Sequence, residues 1–285
     1  MNTKKKKYND IWRRFRQNKP AMAGLVIFMI IIVIVLCADF IVDYDTQVIR
    51  NNPLERLQAP SAEHWFGTDS VGRDVFARVI YGGRYSISIG VIITAFSGTL
   101  GALIGAACGY FGGWFDNLVM RLVDIINSIP GMLLILAIVA ALGANYQNLV
   151  LAMSIGTVPG FIRLIRSTVI GLTDTEYIEA ARSYGSGSFR IIVKHVFPNA
   201  MGVFIVNAAG RVSACILAAA GMSFLGFGVQ PPLPEWGVML SDARKYMQLA
   251  PWCMLAPGIA IFLTTLSINL MADGLRDALD PRLKD

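Results

Sequence analysis

The chain has 285 residues, of which 55% are hydrophobic and 15% are charged, whereas about a quarter of the residues in a soluble domain are charged. This excess of apolar residues excludes a single water-soluble core and favours a lipid bilayer as the solvent. The net charge of +6 does not indicate a nucleic-acid partner, because the basic residues lie at the ends of apolar runs and not on one polar domain.

Six apolar segments are long enough to cross a bilayer as helices, which takes about 20 residues each. They lie at residues 21–42, 86–110, 119–142, 149–170, 200–220 and 253–271. Because proline removes a helical hydrogen bond, we expect the third span to kink at Pro130-Gly131 and the fourth to be interrupted near Pro159-Gly160. The predicted fold class is all-α, a polytopic membrane protein with six transmembrane helices.

Basic side chains predict the orientation of these spans. Residues 1–20 contain eight lysines and arginines, and the cytoplasmic flanks of membrane spans carry an excess of such residues. We therefore place this N-terminal segment in the cytoplasm. Six crossings return the C-terminus, with Arg276, Arg282 and Lys284, to the same side. Residues 43–85 then form an extracytoplasmic loop.

The cytoplasmic loop before the fifth span, residues 174–198, carries the most distinctive motif. Its sequence predicts a helix over residues 174–184, with capping residues at its start, acids in its first turn and a stop at Gly185. A second short helix, about Ser188 to His195, is expected to end before Pro198. The loop is thus predicted to be a helix–turn–helix.

This loop resembles the EAA loop in permease subunits of ATP-binding-cassette (ABC) importers. The family pattern is EAA, three residues, glycine, nine residues and then an Ile-x-Leu-Pro ending. The matching positions in this chain are Glu179, Ala180, Ala181, Gly185, His195 and Pro198. Histidine stands in place of the isoleucine, which resembles the peptide-importer branch of the family. The two alanines would let a partner approach the helix backbone closely.

Three further segments, in the same order along the chain, resemble DppC/OppC-type peptide permeases. They are GTDSVGRD at residues 67–74, SFLGFGVQPP at residues 223–232 and DGLRDALDPR at residues 273–282. The resemblance covers nearly the whole chain. It implies the permease fold of type I ABC importers.

The resemblance also implies a function and a set of partners. The chain would form half of a translocation path for di- or oligopeptides or related small solutes, in the cytoplasmic membrane of a bacterium or archaeon. Its partners would be a homologous second permease, two cytoplasmic ATP-binding subunits, an extracytoplasmic solute-binding protein and membrane lipid. No cofactor is expected in this chain, because ATP and Mg²⁺ would bind the ATPase subunits, on which the EAA loop would dock.

Two residues of the loop have alternative interpretations. Glu179 could simply stabilise its helix as an acid near the N-terminus, but the EAA spacing favours a docking role. His195 is interpreted as an interfacial residue that caps a helix end, in preference to a proton relay.

Arg211 lies midway along the predicted fifth span. A charge at that depth costs roughly 3 kcal/mol on insertion scales, so its side chain should face water or a partner. Two roles stay open. One is a place in the translocation path, and the other is a structural ion pair with Asp124 or with a carboxylate of another subunit.

Asp69, Arg73 and Asp74 belong to the GTDSVGRD segment of the extracytoplasmic loop. One interpretation is an exposed loop with local ion pairs, each worth under about 1 kcal/mol. The other, which the resemblance favours, is an element of an outer gate that contacts the solute-binding protein.

No catalytic or metal-binding constellation is predicted. No lysine follows a glycine anywhere in the sequence, which excludes a Walker A loop. The two histidines, His64 and His195, are predicted on opposite membrane faces, which argues against a metal site. We therefore predict a transport subunit and not an enzyme. The alternative function is an ion-coupled secondary transporter or channel, which would need membrane-embedded acids.

Overall fold

The computed structural model describes residues 2–279; residues 280–285, with Arg282 and Lys284, lie outside the described range. Within residues 2–279 the chain forms α-helices and no β-strand, which confirms the all-α prediction. The helices are α1 Asn2–Gln17, α2 Lys19–Leu36, α3 Ala38–Ile41, α4 Val75–Phe111, α5 Gly113–Ser128, α6 Gly131–Leu142, α7 Tyr146–Thr173, α8 Glu176–Ser183, α9 Ser188–Ile191, α10 Phe197–Phe224, α11 Trp236–Ala243 and α12 Trp252–Leu279. Short π-helical and 3₁₀ turns lie at Tyr44–Ile49, Pro53–Glu55, Ile192–Val196 and Arg244–Tyr246.

Five helical stretches are long and apolar enough to cross a membrane, and a sixth is formed if α5 and α6 count as one span. The sequence predicts only a kink in this third span, but α5 and α6 are bent by 85°. The residue before a proline disfavours the helical conformation, and Ile129 is extended, with φ −93° and ψ 126°. The third predicted span is therefore two helices joined at a sharp angle.

The second predicted span begins earlier than expected, because α4 starts at Val75 and not at residue 86. Arg84 makes this stretch look polar in the sequence, but its Nη2 lies 2.8 Å from the Oδ2 atom of Asp39. Asp74 is the N-cap, since its carboxylate accepts a hydrogen bond from the backbone N–H of Ala77 at 2.8 Å. The helix thus extends from the span into the loop that precedes it.

The predicted interruption of the fourth span near Pro159-Gly160 is wrong, because α7 continues through both residues. Proline removes one backbone donor, and its fixed φ is compatible with a helix. Helices in membranes tolerate this loss where neighbouring groups satisfy the freed carbonyl. The fourth span is therefore one helix of 28 residues.

Glycines of α4 let α7 approach closely. A Cβ atom added to Gly101 would overlap the Cβ atom of Phe161, and one added to Gly105 would lie 2.6 Å from the carbonyl oxygen of Ile162. Helices in lipid gain little hydrophobic energy by associating, so close backbone packing at small residues holds them together. The close packing of α4 on α7 therefore depends on having glycine, which has no side chain, at these positions.

We expect Gly105→Ala to lower the free energy of unfolding by about 2 kcal/mol, because the added methyl group forces α4 away from the backbone of α7. Gly171→Ala is the matched control, since nothing lies within 4 Å of a Cβ atom at that position of α7. Thermal melting of the purified protein in detergent measures both effects. Equal melting temperatures would contradict the close-packed interface.

The loop between α10 and α12 contains α11, and the start of this helix packs against α4. Glu235, the fully buried N-cap of α11, accepts hydrogen bonds from the backbone N–H of Val238 at 3.0 Å and from the Ser86 hydroxyl at 3.1 Å. Its burial raises the pKa of the carboxyl. The indole of the adjacent Trp236 donates to the Val79 carbonyl at 2.9 Å. These bonds fasten the loop to the first half of α4.

Candidate functional site

The predicted EAA loop begins with α8, which one apolar side chain fixes to the membrane helices. Ile178 is fully buried in an apolar cluster that also contains Ile165 and Val169 of α7 and Val196 of the π-helical turn. Burial of such a side chain contributes about 1.5–3 kcal/mol. The helix ends at Ser183, and Gly185 takes a φ of +73°, which glycine adopts without strain.

The other face of α8 is open to solvent. Glu179, Ala180 and Gly185 are exposed, and the side chain of Tyr184 is 89% exposed. Ala181 is half-buried and packs against the apolar cluster under the loop. The EAA motif therefore divides between an exposed face, which a partner can reach, and a face that contacts the permease helices.

The second half of the loop differs from the prediction. α9, a π-helical turn at Ile192–Val196 and α10 follow one another without a break, so the expected helix end before Pro198 is wrong. Pro198 lies in the first turn of α10, directly after the π-helical turn, so the continuous helix lacks one backbone donor at this position. This half of the loop is a direct extension of the fifth span.

Asn199 joins the two halves of the loop. Its side-chain amide donates to the Tyr177 hydroxyl at 3.2 Å and to the His195 carbonyl at 2.7 Å. The His195 ring lies beside the Tyr177 ring, with 6.5 Å between their centres. Sequence reasoning missed Tyr177 and Asn199 as positioning residues, although Asn199 directly follows the motif proline.

Two arginines of α7 form ion pairs with α5. Arg166 makes a bidentate pair with the buried Asp116, with Nε–Oδ1 and Nη2–Oδ2 distances of 2.5 and 2.6 Å. The Nη2 atom of Arg163 lies 2.5 Å from the Oδ1 atom of Asp124. These pairs hold α5 against the helix that leads into α8. Asp124 pairs with Arg163, and no ion pair joins it to Arg211 among the described residues, so the possible Arg211–Asp124 pair is wrong.

Arg211 is exposed midway along α10. Its guanidinium forms no ion pair with any side chain that the structure describes. The Nη2 atom lies against α7 at Gly160, 3.4 Å from the position of a Cβ atom on that residue. Arg211 therefore bridges the gap between α10 and α7 and leaves its charge at the surface.

Small and polar residues surround Arg211 on both helices. This set, which we call the polar wall, is partly or fully exposed and consists of Gly156, Gly160, Arg163, Ser167, Asn207, Arg211, Ala214 and Ala218. Exposed large apolar residues flank this wall on the same two helices, namely Leu151, Ile155, Val203, Ile205 and Leu217. On α2 and α12 the exposed residues include the large apolar side chains of Val26, Met29, Ile30, Val33, Leu255, Ile259 and Phe262. A surface of large apolar side chains is compatible with contact to lipid. A polar residue in a span faces water or another protein.

The GTDSVGRD segment is buried, so its interpretation as an exposed loop is wrong. The Oδ2 atom of Asp69 lies 2.7 Å from Nε of Arg73 and 3.6 Å from Nε of Arg78, which is 1% exposed. Arg73 also reaches towards Asp242 of α11, at 3.8 Å. Burial raises the pKa of the Asp242 carboxyl. Two carboxylates and two guanidiniums thus join the loop before α4 to the loop after α10.

Asp74 has an internal role as well. Besides capping α4, its Oδ2 atom lies 2.8 Å from Nδ1 of His64, whose Nε2 lies 3.5 Å from a carboxylate oxygen of Glu55. Asp69, Arg73 and Asp74 therefore hold the loop together from within. A contact between this loop and a solute-binding protein stays a prediction, and it would involve the exposed surface beside these three residues.

Comparison with known proteins identifies the kind of molecule that carries these features. Residues 101–285 match the family model described as the inner membrane component of binding-protein-dependent transport systems. The chain belongs to this family. Residues 8–60 of the permease also match the model for the N-terminal transmembrane domain of oligopeptide transport permease C. The resemblance drawn from the sequence segments is thus confirmed.

Curated relatives are similar over most of the permease. The dipeptide transport system permease protein DppC of Alkalihalophilus pseudofirmus is 44% identical, and the match covers 97% of this chain and 90% of the relative. The glutathione transport system permease protein GsiD of Pectobacterium atrosepticum is 40% identical, with 97% and 92% covered. The chain is therefore a multi-pass inner-membrane transport subunit and not an enzyme. The ion-coupled alternative finds no support in these relatives.

A solved structure shares the fold. The inward-facing MetNI methionine ABC transporter matches with a TM-score of 0.51 at 20% identity, over 68% of this chain and 94% of the other. At this identity the match concerns the fold alone. It confirms the predicted permease fold of type I ABC importers.

Proposed function

We propose that this permease forms half of the translocation path of an ABC importer for dipeptides or related small peptides such as glutathione, and that its EAA loop couples to a cytoplasmic ATPase. The supporting observation is the division of α8 into two faces. Ile178 anchors the helix in the permease, while Glu179 and Ala180 of α8 and Tyr184 directly after it face solvent. An exposed aromatic ring beside a small residue and an acid provides a docking surface.

The loop is built to transmit a displacement. Its second half continues into α10, and Asn199 ties α8 to that half. Movement of α8 by a closing ATPase therefore moves α10, and with it the polar wall. Such rigid-body movement of packed helices is a common means of alternating access.

The proposal requires several partners. A homologous second permease would complete the path opposite the polar wall, two ATP-binding subunits would hold ATP and Mg²⁺, and an extracytoplasmic binding protein would deliver the solute. The eight basic residues in residues 1–20 support a cytoplasmic N-terminus, and an even number of crossings places the C-terminus on the same side.

Co-purification tests the coupling role. A tagged permease, co-expressed with its second permease and ATPase subunits, should retain the ATPase, and Glu179→Lys should lower the retained amount at least about tenfold by reversing the charge of the docking face. Glu63→Lys is the control, because it makes the same change at an exposed acid of the loop before α4. Absence of the ATPase from the wild-type preparation would overturn the proposal. Equal retention by both variants would exclude this face as the docking surface.

A further inference from the structure

Arg211 stands apart from the other arginine of the polar wall. Arg163 is neutralised by Asp124 at 2.5 Å, whereas Arg211 has no acidic partner within the described part of the chain. Both side chains are exposed. The wall therefore presents one compensated and one uncompensated positive charge.

The surroundings of Arg211 leave room for a ligand. Asn207 and Ala214 precede and follow it by about one turn on α10, and Gly160 faces it from α7. No Cβ atom fills the space at Gly160, where the nearest heavy atom is Nη2 of Arg211 itself. The guanidinium thus lies over a position of α7 that carries no side chain.

We propose that Arg211 is the countercharge for a carboxylate of the solute as it crosses the middle of the membrane. This inference rests on the proposed function, because it places the polar wall along the path. A guanidinium binds a carboxylate through two parallel hydrogen bonds. It also lowers the cost of moving a negative charge through a region of low dielectric constant. Small peptides with a free C-terminal carboxylate are the class of solute that fits.

The proposal makes Arg211 a specificity-determining residue. Its loss should affect solutes according to their charge, whereas the loss of a structural arginine should affect all solutes alike. A rival ligand is an acidic side chain of the second permease, which would make Arg211 part of the subunit interface. A solute pair that differs only in the carboxylate separates these possibilities.

The test uses the assembled transporter in lipid vesicles, with the binding protein and ATP. A dipeptide and its C-terminal amide are each supplied at a concentration that saturates the binding protein, as measured beforehand. Arg211→Gln should lower uptake of the free dipeptide about tenfold, the effect of one charge-assisted contact, and leave uptake of the amide within twofold. Arg211→Lys should recover part of the lost uptake, because lysine supplies the positive charge but not the two parallel donors of the planar guanidinium. Arg50→Gln, at an exposed arginine of the loop before α4, is the control.

Two results would overturn the inference. Equal losses for both solutes in Arg211→Gln would show a structural role, and loss of the second permease from the purified complex would assign Arg211 to the subunit interface. A wild-type complex that takes up neither solute in an ATP-dependent manner would instead overturn the proposed function, and the inference with it. The wild-type measurement thus distinguishes the two failures.

Discussion

Ala180→Trp is expected to lower ATP-driven uptake at least about 100-fold while leaving the melting temperature of the permease unchanged. Ala180 is exposed on α8 and contributes nothing to the apolar cluster that holds the loop, so an indole there disturbs no internal packing. It would instead fill the space that an ATPase subunit occupies. Disrupting a central position of a protein interface costs about 2–4 kcal/mol of binding free energy, which corresponds to a loss of affinity by a factor of about 30 to 1,000.

The matched control is Ala62→Trp, which places the same side chain on an exposed alanine of the loop before α4. Uptake of labelled dipeptide and ATP hydrolysis are measured on complexes reconstituted in vesicles. The control should transport at the wild-type rate. Uptake within twofold of wild type by Ala180→Trp would show that the exposed face of α8 does not dock on the ATPase.

Asp69→Asn is expected to lower the free energy of unfolding by about 3 kcal/mol or more, because it leaves two buried arginines without their shared counterion. The Asp69 carboxylate also accepts hydrogen bonds from the backbone N–H groups of Val71 and Arg73, at 2.9 and 3.0 Å. The remaining carboxylate, Asp242, is 40% exposed and lies 3.8 Å from Arg73. Asp242 therefore cannot replace the ion pairs and hydrogen bonds that the Asp69 carboxylate makes.

Asp45→Asn is the control for this prediction, since it removes an exposed carboxylate from the same loop. Thermal melting in detergent should show a marked decrease for Asp69→Asn and almost none for Asp45→Asn, because exposed charges contribute little to stability. The same melting temperature for the two variants would mean that the Asp69 network does not hold the two loops together.

The sequence predicts the helical class and the approximate positions of the spans, because long apolar runs have few alternatives in a bilayer. It fails where a charge is neutralised by a distant residue. Arg84 conceals the first turns of α4 because its partner Asp39 lies 45 residues away. It also fails where the outcome depends on backbone geometry, as at Ile129, where the sequence indicates a kink and the structure shows two separate helices.

For the candidate site, the EAA spacing identifies the correct segment but not its orientation. Whether Ala180 or Ala181 faces a partner depends on where Ile178 is buried, and that contact involves residues of α7 and α10 that the local sequence does not specify. The contact of Asn199 with Tyr177 spans 22 residues and is equally hidden. The sequence leaves the role of Arg211 open for the same reason, because the pairing of Asp124 with Arg163 is a contact between two separate helices.

The most direct test of the central claim is uptake of a labelled dipeptide by vesicles that contain the permease, its second permease, the ATPase subunits and the binding protein. We predict uptake that requires ATP on the ATPase side and the binding protein on the other, and that persists when ionophores abolish all ion gradients. Uptake that follows an imposed proton or sodium gradient in the absence of ATP would contradict the importer function and restore the ion-coupled alternative.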